Sequence, residues 1–188
     1  MNDVGGRSYA RTVSKIQYYV ASTLDGFIAD EHDDLSWLLQ FGMADFSEHY
    51  ERFFAEVGAL VLGATTYEWV LREGGAWPYG SMPTWVLTHR RLEVPDGADI
   101  RFASGEVAAV ADAAVAAASG RNVWVVGGGP VAAQFLEAGR LDEILVTYMP
   151  VALGRGRALL PVGAVTPPLE LTAVTRLGDA VEHVYRIG

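Results

Sequence analysis

Residues 122–130 read NVWVVGGGP: an apolar, β-branched run that breaks into three glycines and a proline. The run has the length and composition of a buried strand. Gly127, Gly128 and Gly129 let the chain turn tightly, and Pro130 suits a first helical turn, where no N–H is needed. An apolar, alanine-containing stretch through residue 138 continues that helix. A strand that feeds a helix through glycines is half of a β-α-β unit, so the rest of the chain is read for alternation.

Working outward, residues 16–21 (IQYYVA), 59–63 (ALVLG) and 84–88 (TWVLT) read as buried strands, 99–103 as a further candidate, and 143–150 as the strand after the glycine turn. Between them lie helices. Over 45–57, Phe46, Tyr50, Phe53, Phe54 and Val57 form one apolar stripe, and Asp45 with Glu48 resembles a capping box. A helix begins at residue 64, and an alanine-rich one covers 107–118, with Ser104 placed to cap it. The ending differs: residues 169–177 and 180–187 alternate around Gly178-Asp179, which predicts a hairpin. The expectation is an α/β fold of three layers. Its mixed sheet is mostly parallel, flanked by helices on both faces, with an antiparallel C-terminal hairpin. Residues 15–188 read as a single domain behind a polar, disordered tail over 1–14 that has no signal-peptide pattern.

Composition narrows the function. The chain has 188 residues, 51% of them hydrophobic and 20% charged, so it can bury roughly 70% of its unfolded surface. Its net charge of −9 argues against a duplex nucleic-acid binder, which needs a basic face. Of 14 cationic residues only Lys15 is lysine, and none form a polybasic block for anionic membranes. With no cysteine, thiol nucleophiles, disulfides and iron–sulfur clusters are excluded; a cytoplasmic protein is expected. The four histidines have no metal-ligand spacing, so no metal is expected.

In an open α/β sheet, ligands bind beyond the carboxyl ends of the strands. Three strand ends suit an anionic ligand. The first is Gly63-Ala64-Thr65-Thr66, where glycine permits close approach and a helix N-terminus offers N–H groups; alternatively Thr65 and Glu68 form a capping box and nothing more. The second is Val126 through Val131, for pyrophosphate or nicotinamide contact, or simply for close helix–strand packing. Gly127, Gly129 and Ala132 match G-x-G-x-x-A, but the turn follows the fifth strand, and Asp142 and Glu143 stand at the start of the next strand. The third is Thr88-His89-Arg90-Arg91, a candidate for a 2′-phosphate or a solvated loop. Asp34 is either a helix cap or, if half-buried in a cleft, a group with a raised pKa that binds a protonated heterocycle or relays a proton. Asp25-Gly26 reads as a turn first and a ligand contact second.

Four stretches then carry a resemblance: residues 20–29 (VASTLDGFIA), 62–68 (LGATTYE), 126–129 (VGGG) and 141–156 (LDEILVTYMPVALGRG). In order and spacing the chain resembles the dihydrofolate reductase superfamily. Within it, the chain is most similar to the branch of the C-terminal reductase domain of the bifunctional riboflavin-pathway deaminase/reductase (RibD). The resemblance implies an NADPH-dependent reductase. Ala21 and Ile28 would offer backbone to the carboxamide; Gly63, Thr65 and Thr66 would hold phosphate, as would Val126, Gly127, Gly128, Gly129, Pro130 and Val131. Thr88, His89 and Arg90 would lie near the adenosine ribose and its 2′-phosphate. Asp34-Leu35-Ser36-Trp37-Leu38 is similar to the reductases' acidic substrate turn, which makes Asp34 the catalytic or anchoring residue. By the same resemblance Ser22, Asp25, Trp37 and Leu38 would be further substrate contacts. The phosphate turn has Ala64 where dihydrofolate reductases usually place a basic residue.

The sequence reading is therefore an oxidoreductase that transfers hydride from NADPH to a pterin-like, pyrimidine-like or other small heterocyclic or carbonyl substrate. The alternatives are a non-catalytic nucleotide-binding module or partner subunit on the same fold, or a flavin enzyme. The apolar end of the sheet leaves an edge suited to a homodimer.

Overall fold

The computed structural model describes residues 14–74 and 76–188, so the expected tail, Ser14 apart, lies outside the described residues. Among the described residues, ten strands and five helices follow in chain order: β1 (Ile16–Thr23), β2 (Phe27–Ala29), α1 (Ser36–Leu39), α2 (Ser47–Ala55), β3 (Val57–Gly63), α3 (Ala64–Gly74), β4 (Thr84–Leu87), β5 (Ile100–Ala103), α4 (Val107–Ala117), β6 (Asn122–Gly127), α5 (Gly129–Glu137), β7 (Glu143–Met149), β8 (Arg157–Ala158), β9 (Glu170–Leu177) and β10 (Ala180–Arg186). Eight strands form one sheet in the order β5-β4-β3-β6-β1-β7-β10-β9. β5 through β7 are parallel, and β10 runs antiparallel to both β7 and β9. The expected α/β fold, with its antiparallel hairpin, is present. Gly178, at φ +61°, makes the two-residue turn between β9 and β10.

The central strands are apolar because helices cover both faces. All of β3 before Gly63 is buried, as a parallel strand with two covered faces requires. On one face Ile16, Tyr18, Ala59 and Val61 pack with Ala111 and Ala114 of α4 and Phe135 of α5. On the other, Leu60, Leu62 and Trp124 pack with Tyr50, Phe53 and Phe54 of α2. Trp124 is ringed by aromatics: Phe53 stands edge-on with centroids 5.4 Å apart, and Tyr50 at 6.0 Å. Such pairs add about 0.5–1.5 kcal/mol each beyond area burial.

Local signals were less faithful than the pattern. Neither expected N-cap forms. α2 begins at Ser47 after Phe46, with no side-chain cap bond, and Asp45 lies instead against the Gly178 turn. α4 begins after Glu106, which also makes no side-chain cap bond, leaving Ser104 too early in the chain to cap it. α2 ends at Ala55 rather than Val57, because Val57 is the first residue of β3. Two short elements were not anticipated as such: α1, and the two-stranded sheet of β2 with β8, in which Phe27 faces Ala158 and Ala29 faces Arg157. Among the described residues, no helix is long and apolar enough to cross a membrane.

Candidate active site

β1, β3, β6 and β7 end side by side in the sheet, and a cavity of about 1000 Å³ opens beyond their carboxyl ends. One flank is made by two strand–helix turns. β3 passes straight from Gly63 into α3 at Ala64, which puts Thr65 and Thr66 in the first turn. β6 passes through Gly127 and Gly128 into α5, with Pro130 in its first turn and no side-chain cap. The two turns are neighbours: a Cβ added to Gly127 or Gly128 would stand 3.6 or 3.8 Å from Thr66 Oγ1. Val131 of α5 lies against Gly63 in the same way, 3.1 Å from where a Cβ would be.

The three glycines do different work. At Gly129 a Cβ would meet the carbonyl oxygens of Ala158 at 2.2 Å and Leu159 at 2.7 Å, so this glycine is dictated by packing against the β8 segment. Gly127 has φ +143°, a conformation that side chains rarely adopt. At Gly128 the protein leaves ordinary contact distances of 3.7–3.8 Å, so the missing side chain there widens the cavity. Two helix N-termini with hydroxyls and glycine backbone facing one cavity suit the phosphates of a dinucleotide.

The structure brings Ala21, Ile28, Leu38, Gly63, Thr65 and Thr66 to this cavity, together with Val126, Gly127, Gly128, Gly129, Pro130 and Val131. It does not bring the other expected site residues to the wall. Ser22 is buried, and its Oγ donates to the carbonyls of Thr23 and Phe27. Asp25 accepts from Thr23 Oγ1 and from the N–H groups of Leu153 (3.1 Å) and Gly154 (2.6 Å), so it ties the β1–β2 turn to the segment after β7. Trp37 is buried beside Met149 and Ala180. Thr88 Oγ1 accepts from the Arg90 N–H at 2.9 Å, and His89 is exposed. Arg90 is held in a bidentate pair by Glu68 at 3.0 and 2.7 Å, which raises its pKa. Glu68 thus serves Arg90, and Thr65 lies inside α3 rather than at an N-cap; the capping-box alternative fails on both counts.

Asp34 is exposed rather than half-buried, and its pKa is lowered, not raised, because Ser36 donates to it through both its hydroxyl and its N–H (2.7 Å). It accepts from Ser36, the first residue of α1, while Leu35 stands at the N-cap position and makes no side-chain cap bond, so the helix-cap alternative is not met either. Its neighbour Asp33, at φ +63°, lines the cavity and pairs with Arg157 at 2.6 and 3.0 Å.

Further lining residues were not foreseen as site residues: Tyr19, Tyr50, Trp69, Trp124 and Thr147. Tyr19 stacks on Phe53 at 4.2 Å, and Trp124 Nε1 donates to the Tyr19 carbonyl at 3.0 Å. Burial, followed by Glu182 and Tyr50, pushes the Tyr19 hydroxyl well above its ordinary pKa, and burial also raises that of Tyr50. Both stay neutral at physiological pH, able to donate a hydrogen bond. The available signal was the strand period: Tyr18 points to the α4–α5 core and Tyr19 to the other face, but within an apolar run both read as core.

The model of the RibD C-terminal domain matches residues 71–182. The chain belongs to this family. It is 31% identical to the uncharacterized protein YwjB of Bacillus subtilis over 172 residues, which is 91% of this chain and 97% of YwjB. A Shewanella sp. PV-4 protein assigned to riboflavin biosynthesis superposes with a TM-score of 0.74 at 26% identity, covering 92% of this chain and 98% of that one. Dihydrofolate reductase from Enterococcus faecalis, solved with NADP(H), gives a TM-score of 0.58 at 17% identity over 92% and 95%; at that identity it shows the fold. The chain is therefore a RibD C-terminal domain with the dihydrofolate reductase-like fold, a reductase-type scaffold.

Proposed function

We propose that this RibD C-terminal domain is an NADPH-dependent reductase of a small heterocyclic or carbonyl substrate. The observation that carries the reading is that two kinds of lining meet in one cavity. The glycine and threonine turns at 63–66 and 126–131 suit a dinucleotide's phosphates, and aromatic side chains line the same cavity of about 1000 Å³. The neighbouring fold of a dihydrofolate reductase solved with NADP(H) supports the choice of nucleotide.

A reduced nicotinamide supplies a hydride when bound. This chain's own part is to bind, orient and exclude solvent. Ala21 and Ile28 would flank a nicotinamide, and Thr65, Thr66 and the backbone of 127–131 would hold phosphates. Leu38 and the aromatic wall sandwich the acceptor ring. Asp34 is a positioning residue in this scheme: by holding Ser36 at the start of α1 it sets Leu35 and Leu38 on the cavity lining. Arg90 reaches a 2′-phosphate only by leaving Glu68, so the 2′-phosphate preference rests on His89, Arg91 and that exchange.

Tryptophan fluorescence tests the cofactor half directly, because Trp69 and Trp124 line the cavity. Titration with NADPH, NADP and NADH is expected to quench saturably in the micromolar range, more tightly with the 2′-phosphate. Quenching by none of the three overturns the proposal.

A further inference from the structure

Besides the glycine and threonine turns, much of the cavity lining is apolar or aromatic. Phe46, Tyr50 and Trp124 line it, as do Leu35 and Leu38 from the start of α1. At the mouth, Leu39 and Met43 line the cavity while standing 59% and 57% exposed. A single exposed apolar side chain is ordinary; two on one rim, continuous with an apolar lining, mark a surface that a ligand covers.

The charged residues of the lining are already paired. Arg157 is the one cation among the described lining residues, and Asp33 the one acid. Arg157 Nε donates to Asp33 Oδ1 at 2.6 Å, and its Nη2 donates to Asp33 Oδ2 at 3.0 Å and to the Glu31 carbonyl at 3.2 Å. This pair also braces the β2–β8 sheet, where Ala29 faces Arg157. An anionic group entering here would have to displace Asp33 from a bidentate partner or desolvate against leucine and methionine. The groups left to orient a substrate are neutral: the Tyr19 and Tyr50 hydroxyls and Thr147.

Resting on the reductase reading above, we propose that the site takes an uncharged, flat aromatic or heteroaromatic ring whose outer substituent is apolar and lies over Leu39 and Met43, and that it discriminates against phosphorylated or carboxylated tails. The ring stacks in the aromatic wall, and its polar edge meets the neutral hydroxyls.

Calorimetric titration with 7,8-dihydrofolate and its diethyl ester isolates the charge, since the two share ring and linker and differ in two carboxylates. The diester is expected to bind at least about tenfold more tightly, the cost of bringing anions to an apolar rim. Leu39→Arg, on the exposed rim, is expected to shift the preference toward the diacid by about tenfold. An unchanged thermal midpoint verifies its fold, and Met43→Arg serves if it does not. Equal or tighter binding of the diacid by the unaltered protein overturns the proposal. So does binding of neither compound by protein that binds NADPH, a result that leaves the reductase reading standing. Failure to bind NADPH as well removes that reading and this proposal together.

Discussion

Arg90 and Glu68 form a bidentate ion pair at the edge of the α3 turn, and both side chains are about half exposed. A 2′-phosphate must compete with that carboxylate for the same guanidinium. Glu68→Gln is therefore expected to tighten NADPH binding by about three- to tenfold while NADH binding stays unchanged. Comparing the two dissociation constants checks it, and equal gains for both nucleotides would detach Arg90 from the 2′-phosphate. Asp25 offers a pH test. The Thr23 hydroxyl, and then the Gly154 and Leu153 N–H groups, hold its carboxyl below its ordinary pKa. A carboxyl lowered in the folded state contributes stability above its unfolded pKa and loses it as pH falls through the folded one. Asp25→Asn is expected to melt earlier than the unaltered protein at pH 7, with the gap closing as pH drops below about 4. Thermal scans across that range measure it; a gap that widens in acid would contradict the linkage.

At the scale of elements, the β6–α5 turn separates packing from binding within adjacent residues. Gly129→Ala drives a Cβ to 2.2 Å from the Ala158 carbonyl oxygen, a backbone atom that cannot swing away. The expected cost is about 1–3 kcal/mol, read as a lowered denaturation midpoint. Gly128→Ala meets nothing nearer than 3.7 Å at an ordinary negative φ, so stability is expected to hold. Its methyl group projects toward the phosphate region, and NADPH affinity is expected to fall about tenfold. If both substitutions unfold the protein equally, the division of labour between the two glycines is wrong. The small β2–β8 sheet and α1 act with this turn: β8 packs over Gly129, pairs with β2, and through Arg157 grips the acidic loop before α1.

Over the whole molecule, the sheet has a covered centre and ends in the edge strands β5 and β9. Leu60 is fully buried on β3, and Leu60→Ala is expected to cost about 2–5 kcal/mol in denaturant unfolding. β9 pairs only with β10 among the described strands, and along it Leu171 and Val174 are 49% and 57% exposed. That edge suits the proposed homodimer. Sedimentation is expected to give twice the 20.3 kDa chain mass, and Leu171→Lys with Val174→Lys to give a single chain. A monomer before substitution would end the dimer proposal.

The sequence by itself determined the order and type of the long elements, because buried parallel strands and their helices carry strong periodic hydrophobicity, and because Gly63, Gly127 and Gly178 mark turns that few other residues make. The two strand–helix turns of the cavity were legible for the same reason. Only the tertiary structure decided which neighbours share a cavity. Tyr19 and Thr147 lie far apart in sequence on β1 and β7 and look like core, yet the parallel register sets both at one sheet end. Asp33 and Arg157 are 124 residues apart, and no local pattern pairs them. Asp34, the stronger motif residue, turned to Ser36, while its neighbour, held at a positive φ, took the place on the wall. Local periodicity fixes secondary structure; the choice among adjacent carboxylates rests on long-range partners that exist only once the sheet has formed.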